Sequence, residues 1–198
     1  MKTFETGAPQ KIQLTVYYES QCPDSKDFIV NELQPALTLL HNYLILKLIP
    51  FGKAKSIDNT YFECQHGPTE CTGNMVQSCA LHVMKESGAN DRKMLDYVVC
   101  EMKTEAGTTR NLWCVKKARV NENLVTSCLS SRMGTELLLR NEYLTKLVSP
   151  TFIPTITMDG IFDQGIQDSG IQDLIGTLCS YREDMPPCVQ HYNLIGTE

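Results

Sequence analysis

The sequence predicts an α/β fold interrupted by a disulfide-rich helical insertion, and three observations predict it. Apolar residues alternate from Ile12 to Tyr18, and a helical pattern and a second strand-length apolar run follow. From about 61 to 148 the periodicity is helical throughout, and after Pro150 it becomes strand-like again. Of the nine cysteines, eight lie between Cys64 and Cys188. The expected division is a core of 11–60 and 149–182, an insertion at 61–148, and a tail at 183–198 tied down by a disulfide. A chain of 198 residues is long enough for one such unit with a sizeable core.

The elements follow in order. Ile12, Leu14, Val16 and Tyr18 alternate with Lys11, Gln13, Thr15 and Tyr17, the period-two pattern of a strand. Glu19-Ser20-Gln21 ends it, and Pro23 suits the first turn of a helix, where its missing N–H had no partner. Phe28, Ile29, Leu33, Ala36, Leu37 and Leu40 then recur at three- and four-residue spacing, which predicts a helix over 26–40 kinked at Pro35. Leu44 to Ile49 predicts a strand buried on both faces, parallel to the first as in a βαβ unit. A loop is expected over 51–60.

Gly67-Pro68 marks a turn inside a tight loop flanked by Cys64 and Cys71. Helices are predicted around Met75–Met84, from Asp91 to Met102, as two short pieces around Leu112–Ala118 and Leu124–Leu129, and over 135–148. Phe152 to Phe162 predicts a hairpin turning at Asp159-Gly160, a strong two-residue turn signal. Pro154 would normally demote a strand. Ser169 is placed as the cap of a last helix running to Tyr181.

Composition excludes several function classes. The formal net charge is −5, and lysine and arginine are dispersed, so no basic face for nucleic acid is expected. No stretch of about 20 apolar residues exists, so no membrane-spanning helix is expected. Met1 to Gln10 is polar and lacks the apolar middle region of a signal peptide.

Cysteine usage points to an oxidising environment. Eight cysteines, Cys64, Cys71, Cys79, Cys100, Cys114, Cys128, Cys179 and Cys188, can form four bridges, which leaves Cys22 as the free thiol. Local pairing suggests Cys179 with Cys188 and Cys100 with Cys114. The remaining four allow three arrangements. Cys64, His66, Cys71 and Cys79 also form a naive zinc set, but no Cys-x-x-Cys knuckle occurs and no metal is expected. His66 reads as a loop histidine with a structural hydrogen bond.

The candidate site is Gln21-Cys22-Pro23-Asp24-Ser25, between a strand and a helix start. There Cys22 meets the positive end of the helix dipole and unpaired backbone N–H groups, which favour the nucleophilic thiolate. The four-residue spacing is that of the Cys-x-x-Cys dithiol of thioredoxin-like proteins, with Ser25 in fourth place.

Cys64-Gln65-His66-Gly67-x-x-Glu70-Cys71-x-x-Asn74-x-x-x-x-Cys79 resembles the signature of the gamma-interferon-inducible lysosomal thiol reductase family. The likeness extends through Cys114, Cys128, Gly134–Leu139, Pro150, Ile153-Pro154, Cys179 and Cys188. It implies a thioredoxin-like core with a helical insertion, a lysosomal or secreted location, and disulfide reduction at acidic pH. In a thioredoxin-type fold Pro154 would carry a cis peptide bond facing the active-site helix. The family site is Cys-x-x-Cys; Cys22 matches its first cysteine and Ser25 replaces its second. No Asn-x-Ser/Thr triplet offers a glycan acceptor for sorting.

The resulting expectation is a thiol-disulfide oxidoreductase. Cys22 is its nucleophile, Ser25 a catalytic neighbour that impairs the dithiol route, and Pro23, Asp24, Ile153 and Pro154 its substrate-binding residues. No cofactor is expected beyond an external thiol such as glutathione or cysteine, and the partners are disulfide-bonded proteins. The rival reading is a thioredoxin-like binding protein without turnover, or an engineered Cys-to-Ser form that traps substrate.

Overall fold

The computed structural model describes residues 10–189. The polar start up to Pro9 and the tail from 190 onward lie outside the described residues. Strand β1 (Ile12–Tyr18) is the centre of a three-stranded sheet ordered β2–β1–β5. β2 (Leu44–Pro50) pairs with it in parallel, from Ile12↔Leu44 to Tyr18↔Pro50. β5 (Thr155–Met158) pairs on the other side, antiparallel, from Leu14↔Met158 to Tyr17↔Thr155.

The β1–β2 crossover is one continuous helical path: α1 (Pro23–Asp27), a π-helical segment (Phe28–Leu33) and α2 (Gln34–Leu40). Pro35 is the physical cause of the wide turn. It has no N–H and its ring crowds the carbonyl four residues back, so the backbone opens just ahead of it. The Gln34 N–H accordingly reaches back to the Ile29 carbonyl.

β2 differs from the expected strand. Ile45 is 48 % exposed, and Lys47 and Leu48 are half-buried. β2 is the sheet edge, so only Leu44, Leu46, Ile49 and Pro50 are fully covered. The expected loop contains a hairpin, β3 (Lys55–Ile57) with β4 (Tyr61–Glu63). Asp58 and Asn59 turn it with φ of 51° and 53°, the left-handed region that these side chains tolerate.

The segment expected as an insertion is helical: α3 (Pro68–Glu86), α4 (Asp91–Thr104), a 3₁₀ turn (Ala106–Thr109), α5 (Trp113–Lys117), α6 (Glu122–Ser130) and α7 (Arg132–Val148). It shares the core of the sheet. Leu14, Val16 and Phe28 belong to the same buried cluster as Val83, Tyr97, Val98 and Val125.

After β5 the expected hairpin shrinks to an isolated bridge, Met158↔Ile161. The Asp159-Gly160 turn forms, but Asp163 caps a helix four residues on, accepting from the Ile166 N–H at 2.9 Å. That helix is α8 (Gln164–Gln172), and α9 (Leu174–Tyr181) follows, capped by Asp173. Ser169 therefore caps nothing. It lies inside α8 and its hydroxyl donates to the Gly165 carbonyl.

The bridges are Cys64–Cys71, Cys79–Cys128, Cys100–Cys114 and Cys179–Cys188, and Cys22 is free. Two are the expected local pairs. Cys79–Cys128 closes the longest loop, 49 residues apart, so in the chain-entropy account it contributes about 4 kcal/mol.

One buried acid gives the fold a pH signature. Glu101 on α4 is buried, its Oε2 accepts the Gly107 N–H at 2.8 Å, and the buried Tyr97 hydroxyl lies beside it. Burial raises its pKa above the ordinary 4.5, against the pull of the Gly107 N–H and the Tyr97 hydroxyl. A carboxyl raised in the folded state binds protons more tightly there than in the unfolded chain. Its stabilising contribution is complete below the unfolded value and disappears as pH rises through the folded one. Urea unfolding at about pH 4.5 and pH 7.5 should therefore show a larger stability loss on alkalinisation for the parent than for Glu101→Gln. Equal losses would contradict the assignment.

Candidate active site

β1 delivers the chain to a turn, Glu19-Ser20-Gln21, and Cys22 then caps α1 in extended conformation. The Ser25 N–H points at the Cys22 Sγ, 3.4 Å away. On the other side the sulfur lies 3.8 Å from the Ile153 carbonyl oxygen. That contact sets the expected loop against the helix start, and its Ile153–Pro154 bond is cis. Tyr17, Ile49 and Ile153 surround Cys22, with Leu144 and Val148 of α7 packed against them. Only 6 % of Cys22 is exposed.

The other expected site residues divide by burial. Pro23 and Asp24 are exposed on the first turn, whereas Ser25, Ile153 and Pro154 are buried. Ser25 meets the sulfur through its backbone N–H. Its hydroxyl oxygen instead accepts the Glu19 N–H at 3.3 Å and ties the helix to the strand end.

The signature residues hold this turn from below. The Ser20 N–H donates to Asn74 Oδ1 at 2.9 Å, and the Ser20 hydroxyl donates to the Glu70 carbonyl at 2.9 Å. The Thr69 hydroxyl donates to Gln21 Oε1 at 2.7 Å. A Cβ on Gly73 would stand 2.5 Å from Ser20 Oγ, so α3 can approach the turn only with glycine there. Glu19 is fully buried, with Oε1 accepting the Lys53 N–H at 2.7 Å. Gly52, at φ 61°, leaves room for it: a Cβ there would meet Glu19 Cγ at 2.2 Å. Asn74→Ala would leave the buried Ser20 N–H unpaired and should cost about 1–3 kcal/mol, read by denaturant unfolding. A change within error would show that the bond does not support the turn.

Sequence reasoning missed Glu19, Asn74 as a brace, and the α7 residues Leu144 and Val148. A charged residue directly after an apolar strand marks Glu19. No local pattern marks Leu144 or Val148, because the fold alone brings α7 to the sulfur. The naive zinc set dissolves, since Cys64, Cys71 and Cys79 are all taken up in disulfides.

The family model of gamma interferon inducible lysosomal thiol reductase matches residues 13–118. GILT-like protein 1 of Drosophila melanogaster is 34 % identical over 200 residues, covering 91 % of this chain and 80 % of that protein. The chain belongs to this family of thiol reductases. The gamma-interferon-responsive lysosomal thiol protein of Arabidopsis thaliana is 30 % identical over 178 residues, covering 88 % of this chain and 72 % of that protein.

Among solved structures, the thiol-disulfide oxidoreductase MdbA of Actinomyces oris aligns with a TM-score of 0.59 at 14 % identity, covering 89 % of this chain and 83 % of its own. Chlamydia trachomatis DsbA aligns at 0.57 and 15 % identity, covering 91 % and 95 %. At such identities the likeness is one of fold, which is thioredoxin-like. Among the described residues no helix is long and apolar enough to cross a membrane.

Proposed function

We propose that this thiol-disulfide oxidoreductase works through one cysteine, forming a mixed disulfide that an external thiol resolves. The observation that carries the reading is a single free thiol capping a helix, with a backbone N–H on its sulfur and a serine where a resolving cysteine would stand. The Cys22 thiolate attacks one sulfur of a substrate disulfide. A Cys22–substrate disulfide forms, the substrate bond breaks, and the other substrate sulfur leaves as a thiolate that takes up a proton. Ser25 cannot complete the cycle, because a hydroxyl is a poor attacking group on sulfur. One glutathione or cysteine thiolate attacks the mixed disulfide, and a second completes the reduction. Two external thiols are thereby oxidised to their disulfide while one substrate disulfide becomes two thiols.

Pro23 and Asp24 present the exposed side of the site, and the Ile153–Pro154 loop presents backbone beside the sulfur. Leu144 and Val148 add an apolar flank. The substrates are disulfide-bonded proteins reached as extended or unfolded segments; nucleic acid and membrane are not partners, and no cofactor takes part. Four disulfides and the lysosomal names of the relatives support a lysosomal or secreted location.

Ser25 also favours a second reading, a binding protein that holds disulfide-bearing chains without turnover. A substoichiometric amount of protein with a disulfide-linked peptide and glutathione separates the two. Many peptide molecules reduced per protein molecule support the oxidoreductase. Binding with no more than one peptide consumed per protein supports the other reading.

A further inference from the structure

A second cluster of chemically capable side chains lies directly beneath the Cys22 turn. Glu19, at the end of β1, and Glu70, in the first turn of α3, both have fully buried side chains. Each has one oxygen fixed by a backbone N–H: Glu19 Oε1 accepts from Lys53 at 2.7 Å, and Glu70 Oε1 accepts from His66 at 3.1 Å. Their second oxygens turn toward the imidazole of His66. His66 Nδ1 is 2.5 Å from Glu70 Oε2 and 3.5 Å from Glu19 Oε2. All three donor atoms lie within 4.8 Å of one another. Glu19 Oε2 accepts no hydrogen bond, although it is buried.

Such an arrangement is costly without a cation. Two carboxylates out of water repel each other, and an orphan carboxylate oxygen forfeits its hydration. The backbone N–H groups behind each carboxylate do what outer-shell partners do at metal sites: they fix the orientation of the ligating oxygen. One imidazole nitrogen and two carboxylate oxygens suit a borderline divalent ion. At metal–donor distances of about 2.0–2.2 Å, tetrahedral donors stand about 3.3–3.6 Å apart. The His66–Glu19 separation already has that value. The shorter His66–Glu70 separation is a hydrogen bond, which opens when a metal replaces the proton between them. His66 can make that adjustment, because its side chain is 38 % exposed and it sits in the short Cys64–Cys71 loop beside Gly67.

We propose that Glu19, His66 and Glu70 form a binding site for a divalent transition metal of the zinc class, with a fourth position open to solvent past His66. The donors differ from the cysteine set that the sequence first offers. The site would clamp the Cys64–Cys71 loop and the start of α3 to Glu19. The carbonyl of Glu19 accepts the Cys22 N–H at 3.4 Å, so the bound ion would sit on the turn that carries the thiol. Metal binding here does not depend on how Cys22 turns over.

Zinc titration by calorimetry tests it, in a Cys22→Ser background so that no free thiol competes, with the disulfides intact. One equivalent of zinc should bind. His66→Asn and Glu19→Gln should each weaken binding by more than about tenfold, while His82→Asn should leave it unchanged. Unfolding temperatures measured without metal identify any variant that is merely misfolded; half-exposed His66 is the substitution the fold tolerates best. Absence of stoichiometric zinc binding, or equal affinity in the folded His66→Asn protein, overturns the proposal.

Discussion

Replacing Cys22 by serine is expected to abolish covalent capture of disulfide substrates. Incubated with a disulfide-linked peptide, the parent should gain the mass of one half-peptide, mapped to the segment containing Cys22. Cys22→Ser should gain none, because every other cysteine is held in a bridge. The expected loss is essentially complete: the hydroxyl that remains does not attack sulfur. Since Cys22 is buried against Tyr17, Ile49 and Ile153, a serine of nearly the same size should leave the fold intact. A variant that traps as much as the parent would mean that one of the four bridges is the reactive centre.

Ser25→Cys should have the opposite effect. Residues three apart on a helix share a face, and the Ser25 N–H already approaches the Cys22 sulfur at 3.4 Å. A thiol at this position would resolve the mixed disulfide from within. Intramolecular attack carries effective concentrations far above millimolar external thiol. Turnover at millimolar glutathione should rise by at least about tenfold, and in the oxidised variant Cys22 should be bridged to the introduced thiol. The Glu19 N–H would exchange a hydroxyl acceptor for a weaker sulfur, so a stability loss of about 1 kcal/mol should accompany the gain. An unchanged rate would show that Ser25 is not what limits the reaction.

Much of this was legible before the structure, for reasons that differ by element. β1 and its helix were readable because both are amphipathic with a clear period. β2 was readable as a strand but not in its exposure, since sheet-edge position depends on strand order rather than local pattern. The β3–β4 hairpin was missed although Asp58-Asn59 signalled its turn; its strands are three residues each and too short to show a period. Asp159-Gly160 predicted a turn correctly but not what followed, because the cap at Asp163 outcompeted a second strand. Cys22 and Ser25 stood out as a spacing, and Pro154 through a resemblance. The brace of Asn74 and the convergence of Glu19 with His66 and Glu70 join residues about fifty apart in sequence, which no local pattern reports.

The central claim is that the mixed disulfide on Cys22 has no internal resolver. The purified Cys22–peptide adduct, followed by mass spectrometry at several glutathione concentrations, tests it most directly. Release should be negligible without glutathione and should increase in proportion to its concentration. Release at one constant rate, with or without glutathione, would contradict the account by showing that the chain itself supplies the second thiol.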